Sequence, residues 1–100
     1  MAKKLITIEQ LKKNGFYISI IGEYYNGIFA IESDDKKIEI DIDFWINIKN
    51  PEDIQLRIHR IDKTVKAKHV SKTMLDVPIT SIKQVKLFLK AFNIENIFKF

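Results

Sequence analysis

"KIEIDIDFWINI", residues 37–48, alternates without a break. Every even position from Ile38 to Ile48 is apolar, while Lys37, Glu39, Asp41, Asp43, Trp45 and Asn47 hold the odd positions. Period-two alternation puts successive side chains on opposite faces of a strand, so one face is apolar and the other wet. Glu39, Asp41 and Asp43 then share the wet face, either as a catalytic or metal site or as solvated charge.

The flanking segments extend the pattern. FYISIIGEYYNGIFAIES, residues 16–33, reads as a hairpin. Asn26-Gly27 is its expected turn, because a type I′ turn needs positive φ at both central residues. Phe16, Ile18 and Ile20 form the apolar face of its first strand. NPED, residues 50–53, supports two readings. Asn50 as cap, Pro51 and two acids make a good helix start, and the same residues make a turn with Pro second. IQLRIH alternates perfectly afterwards, so the strand is preferred. Aligning apolar faces pairs Ile48 with Ile54, Ile46 with Leu56 and Phe44 with Ile58. The wet face then sets Asn47 opposite Gln55, Trp45 opposite Arg57 and Asp43 opposite His59. Val65, Ala67 and His69 alternate with lysines as a fifth strand or a basic loop, and Pro78 argues against a central strand.

Helices bracket these strands. Thr7 and Gln10 form a capping box for a short helix over residues 7–14, ended by Asn14-Gly15. Ser81 and Gln84 do the same for residues 81–92. There Ile82, Val85, Leu89 and Phe92 make the buried stripe, and Lys83, Lys86 and Lys90 line the opposite side. Asn93 closes that helix in the left-handed conformation, and the apolar tail IENIFKF packs back as an edge strand or wraps the core. The expected fold is α+β: an antiparallel sheet of four or five strands packed against the C-terminal helix, with a short N-terminal helix, in a single domain over residues 1–100. The expected core is Ile18, Ile20, Ile31, Ile40, Ile42, Phe44, Ile46, Leu56, Ile58, Val85, Leu89 and Phe92.

Composition narrows the function classes. The nineteen isoleucines favour a sheet, since Ile is stiff at χ1 and packs well on a pleated surface. The chain has no cysteine, hence no disulfide or thiolate chemistry. The N-terminus does not read as a signal peptide, so none is expected, and no apolar run reaches membrane-spanning length. A cytoplasmic setting without a membrane partner is expected. The net charge of +4 conceals an asymmetry: −6 over residues 14–53 and +7 over residues 54–100.

The carboxylate row fits a solvated sheet face better than a site. A Mg²⁺ or Ca²⁺ site wants six or more converging oxygens, and a flat row does not converge. Paired carboxylates in catalysis want one raised pKa, which needs burial. Two histidines, His59 and His69, do not complete a zinc site. There is no GxSxG, and three glycines make no phosphate-cradling loop. The expectation is therefore a protein that is not an enzyme, with no cofactor, no structural metal and no small-molecule substrate.

Two binding readings remain. Trp45, placed outward among charges, suits a partner anchor, because Trp, Tyr and Arg are enriched in interface hot spots. Arg57, Tyr17, Tyr24 and Tyr25 are the candidates to extend it. The leading expectation is a small binding protein with a protein partner or self-association, an adaptor or inhibitor of the kind phages and mobile elements encode. The alternative is nucleic-acid binding through Arg57, Arg60, Lys63, Lys66, Lys68 and Lys72, helped by Lys83, Lys86 and Lys90. Lysine is a point charge without a bidentate fork, so that binding would read backbone rather than sequence.

Overall fold

In a computed structural model describing residues 5–64 and 70–100, the strand-forming segments build one antiparallel sheet. Helix α1 (Ile8–Lys13) precedes β1 (Tyr17–Ile21), β2 (Tyr24–Glu32), β3 (Ile38–Asn47), β4 (Ile54–Asp62) and β5 (Val70–Pro78). Helix α2 (Ile82–Ala91) and a 3₁₀ turn (Glu95–Ile97) follow. The strands lie in the order β1-β2-β3-β4-β5, so each pairs with its sequence neighbour. The α+β expectation holds, with five strands and both helices near the expected positions.

Caps explain where the helices start and stop. Thr7 accepts from Gln10 N, and the Gln10 side chain accepts from Thr7 N, which is the full capping box. Gly15, at φ 86°, turns the chain out of α1. At α2, Ser81 Oγ accepts from Gln84 N, but the Gln84 side chain reaches Thr80 N instead of Ser81 N. The box is thus displaced by one residue. Asn93, at φ 58°, ends α2 as expected.

One sheet face is dry. Ile42, Phe44, Ile46, Ile54, Leu56 and Ile58 are buried against Leu11 of α1 and Ile82, Val85 and Leu89 of α2. The tail wraps this core: Phe98 is buried, with its ring 5.2 Å from that of Phe16 and 4.9 Å from that of Phe29. Ile20 departs from the expected core. It is 65% exposed, because β1 is an edge strand and Ile20 lies at its outer end, where neither helix buries it.

The hairpin turn is not at Asn26-Gly27. The strands β1 and β2 turn through Gly22-Glu23, pairing Ile21 with Tyr24. Gly22, at φ 59°, is the glycine the first central position of a type II′ turn calls for. Asn26 and Gly27 sit inside β2 and are both buried. The tertiary packing uses each of them. Asn26 donates to Asp43 Oδ1 at 2.5 Å and to the Phe44 carbonyl at 3.2 Å. A Cβ on Gly27 would stand 3.0 Å from Cδ1 of both Ile18 and Leu11, so the bare backbone lets α1 dock.

Between β3 and β4 the faces are as expected and the register is not. Ile46 pairs with Ile54 and Phe44 with Leu56, a slip of two residues from the expected alignment. On the other face Trp45 meets Gln55, Asp43 meets Arg57 and Asp41 meets His59. A slip of two preserves which residues are buried, so alternation cannot select against it. The loop selects. Asn47 Oδ1 accepts from Lys49 N and Asn50 N, Asp53 N closes a turn on Asn50 O, and Asn47 N donates to Asp53 O. NPED is therefore the turn, with Pro51 second, and not a helix start.

Strand β5 confirms Pro78 at an edge, where its missing N–H costs no ladder bond. A register irregularity skips Met74 between the pairs Ile58–Leu75 and His59–Thr73. The expected alternation of Val65, Ala67 and His69 lies outside the described residues.

Candidate functional site

The second sheet face is open: among the described residues, both helices and the tail pack on the other side. Alternation brings Tyr24, Asn26, Asp43, Trp45, Asp53, Gln55, Arg57 and Asp76 to this face from four strands and one loop. There Tyr24, Trp45, Asp53, Gln55 and Arg57 line a depression of about 310 Å³.

Trp45 is held on three sides. Its indole N–H donates to Asp43 Oδ2 at 3.3 Å, and Asp43 is fixed in turn by the buried Asn26. Tyr24 packs edge-on, with ring centroids 6.3 Å apart and planes at 78°, and its hydroxyl donates to Asp53 Oδ2 at 3.0 Å. The Arg57 guanidinium carbon lies 5.7 Å from the Trp45 ring centroid. The expected Trp45–Arg57 contact thus forms, but diagonally, since Gln55 stands directly opposite Trp45. Arg57 Nε also reaches Asp76 Oδ1 at 3.3 Å, and Gln55 donates to the same oxygen. The Gln55 amide, with Arg57 beside it, holds the Asp76 carboxyl below the usual range.

The carboxylate row resolves into separate environments. Asp43 serves the tryptophan. Glu39 and Glu32 face each other directly across β2 and β3, a like-charge pair, and Lys63 clamps both at 2.9 and 2.6 Å. Those two partners raise the Lys63 pKa. Asp41 lies between Glu39 and Asp43. Burial, then a hydrogen bond with Glu39, then the charges of Glu39 and Asp43 push its pKa up to about 7. Its Oδ1 has no hydrogen-bond partner among the described residues. Among the described residues no three His, Cys, Asp or Glu side chains converge on a point that could hold a metal ion.

The candidates from sequence divide between the two faces. Trp45, Arg57 and Tyr24 come together. Tyr17 is on the open face but at the edge, 75% exposed and outside the depression. Tyr25 points to the covered face and packs against the core. Lys63 is engaged by Glu32 and Glu39. Lys83, Lys86 and Lys90 are exposed on α2, across the sheet from Arg57. Arg60 and Lys72 pair with each other in the phase of the covered face. Lys66 and Lys68 lie outside the described residues. Asp53, Gln55 and Asn26 complete the site without having been candidates, and Asp43, weighed as one of the carboxylate row, enters it as the partner of Trp45. Alternation put Asp43 beside Trp45, and Gln55 beside Arg57, on the wet face; it shows a shared face, not proximity to Tyr24.

Charge is sorted by the sheet. Glu32, Glu39, Asp41, Asp43, Asp53 and Asp76 share the open face with Arg57 and Lys63. The α2 lysines face away from it. No helix among the described residues is long and apolar enough to cross a membrane. No family model, curated protein or solved structure matches the chain.

Proposed function

We propose that this chain is a non-enzymatic protein-binding module, an adaptor or inhibitor acting in the cytoplasm, which engages its partner through the open sheet face. The observation that carries the reading is the assembly of Trp45, Tyr24 and Arg57 around one depression on that face. These residue types dominate interface hot spots, and an anchor already held in place loses little freedom on binding. The acidic excess of the face favours a partner that presents basic side chains.

Trp45 is the chain's single tryptophan, so its fluorescence reports on the site. Affinity capture with the wild-type chain should retain a partner that Trp45→Ala and Arg57→Ala lose, and the purified partner should shift Trp45 emission. A partner held equally well by both variants sinks the reading.

The nucleic-acid alternative is a second proposal with weaker support. It needs one continuous basic surface, and Arg57 is separated by the sheet from Lys83, Lys86 and Lys90. Carboxylates beside Arg57 would repel a phosphate backbone. A mobility-shift titration at two salt concentrations distinguishes the two. Six phosphate contacts would give a log–log salt slope of about −5, and no shift at low salt removes the alternative.

A further inference from the structure

The two edges of the sheet are built differently. An open edge strand offers unpaired N–H and C=O groups to any passing strand, and proteins blunt such edges with lysine, proline or a bulge. The β5 edge has all three devices: Lys72, the irregularity at Met74, and Pro78. The β1 edge, YISII, has none. It carries no charge and no proline, and it pairs regularly with β2. Tyr17, Ile20 and Ile21 on it are 75%, 65% and 50% exposed.

Hydrogen-bonding parity shows which groups face outward. In the two-residue hairpin Ile21 and Tyr24 form a hydrogen-bonded pair, and such pairs alternate along the ladder. Tyr17, Ser19 and Ile21 therefore bond to β2, while the N–H and C=O of Ile18 and Ile20 point away from the sheet. A second β1 laid antiparallel about Ser19 meets these groups with the same groups. Ile18 of one copy then bonds Ile20 of the other, twice over. On the covered face the side chains meet as Ile18 with Ile20. On the open face Tyr17 meets Ile21, and Ser19 meets Ser19. No like charges oppose each other at any of the five positions.

The flank is compatible with a second copy. A groove of about 550 Å³ runs between α1 and the β1 edge, lined in part by Glu9, Lys12, Ile18 and Ile20. A two-fold axis through Ser19 sets α1 antiparallel to its mate, and each α1 exposes Glu9 and Lys12, opposite charges one turn apart, on this flank. We infer that the chain forms a two-fold homodimer by β1–β1 pairing centred on Ser19, joining two five-stranded sheets into one. The isologous contact uses the same patch twice and closes after two copies, because β5 is blocked. It leaves the Trp45 face of each copy free, so it stands independently of the partner-binding proposal.

Sedimentation velocity across a concentration series should show a dimer. Ile20→Lys places two lysines beside the axis on an already exposed position and should give a monomer with an unchanged circular dichroism spectrum. Leu87→Lys, on exposed α2, should remain dimeric. The chain has no cysteine, so Ser19→Cys introduces a unique thiol. A non-hydrogen-bonded antiparallel pair has Cα atoms about 4.5 Å apart, within the roughly 4.4–6.8 Å range of disulfides. Mild oxidation should therefore link Ser19→Cys chains into dimers at least tenfold faster than Leu87→Cys chains. This readout needs no destabilising substitution and covers the case in which Ile20→Lys does not fold. A wild-type monomer at all concentrations, or equal cross-linking at the two cysteine positions, overturns the dimer and leaves the edge to a strand from another protein.

Discussion

The Asn26 amide donates to the Asp43 carboxylate at 2.5 Å, and through it the interior of the sheet holds the outward-facing Trp45. Asn26 is almost wholly buried. Removing its side chain leaves Asp43 Oδ1 without this donor and takes one of the bonds from the Phe44 carbonyl. Asn26→Ala should destabilise the fold by about 1–3 kcal/mol, the cost of leaving buried polar groups unpaired. Urea unfolding measures it, and Trp45 emission in the folded state should shift as Asp43 is released.

Gly27 is required for space rather than for backbone freedom. Gly27→Ala brings a methyl group to 3.0 Å from Cδ1 of Ile18 and of Leu11. Ile18 can yield at the edge; Leu11 is fully buried and cannot easily retreat. The expected loss is about 1 kcal/mol for Ala and 1–3 kcal/mol for Val, the range for overpacking. A gain in melting temperature with Gly27→Ala would show that α1 does not pack on β2 as described.

Asp41 gives stability an unusual pH dependence. Its folded pKa, about 7, lies above the ordinary carboxylate value of 3.8. Between these values the folded chain keeps a proton that the unfolded chain releases, so stability falls as pH rises through this window. The contribution is complete below pH 3.8 and gone above about pH 7. Asp35, Asp62 and Asp76 have lowered pKa values and work in the opposite sense, losing stability as pH falls below 3.8. Thermal melts from pH 5 to 8 should show a decline, and Asp41→Asn should flatten it and raise the melting temperature at pH 8. An unchanged slope in the variant would assign the decline elsewhere.

The C-terminal segment belongs to the core. Phe98 packs edge-on against Phe29 and at a tilt against Phe16 and Phe100. Phe98→Ala should cost about 3–5 kcal/mol, as for other buried aromatics. Phe88, partly buried on α2, should cost less. Comparable unfolding midpoints for Phe98→Ala and wild type would mean that the tail does not wrap the sheet.

Much of this architecture is local and was legible in the chain. Alternation over residues 37–48 determined which side chains of β3 are wet, and helical spacing with Thr7, Ser81 and Asn93 determined the helices. These patterns arise from the geometry of single elements, so neighbouring residues suffice to reveal them. It also placed Trp45 and Arg57 on one face. Their contact survived the register error because a slip of two residues changes a directly opposite pair into a diagonal one.

What the tertiary structure decided is whatever local preference left degenerate or misdirected. Alternation specifies strand phase only modulo two residues, and the hydrogen bonds of Asn47, Asn50 and Asp53 chose the register. Asn26-Gly27 has the stronger local preference for a turn, yet Gly22-Glu23 turns the chain. Burying the Asn26 amide against Asp43 and seating Leu11 over Gly27 are long-range gains that no window around residue 26 contains. The site formed by Tyr24, Trp45, Asp53 and Arg57 follows from those two decisions. Tyr24 meets Asp53 only because the turn falls at Gly22 and the β3–β4 loop closes at Asn47. The sequence by itself determined faces and elements, because those depend on period. Register and turn position waited for the fold, because they depend on partners distant in the chain.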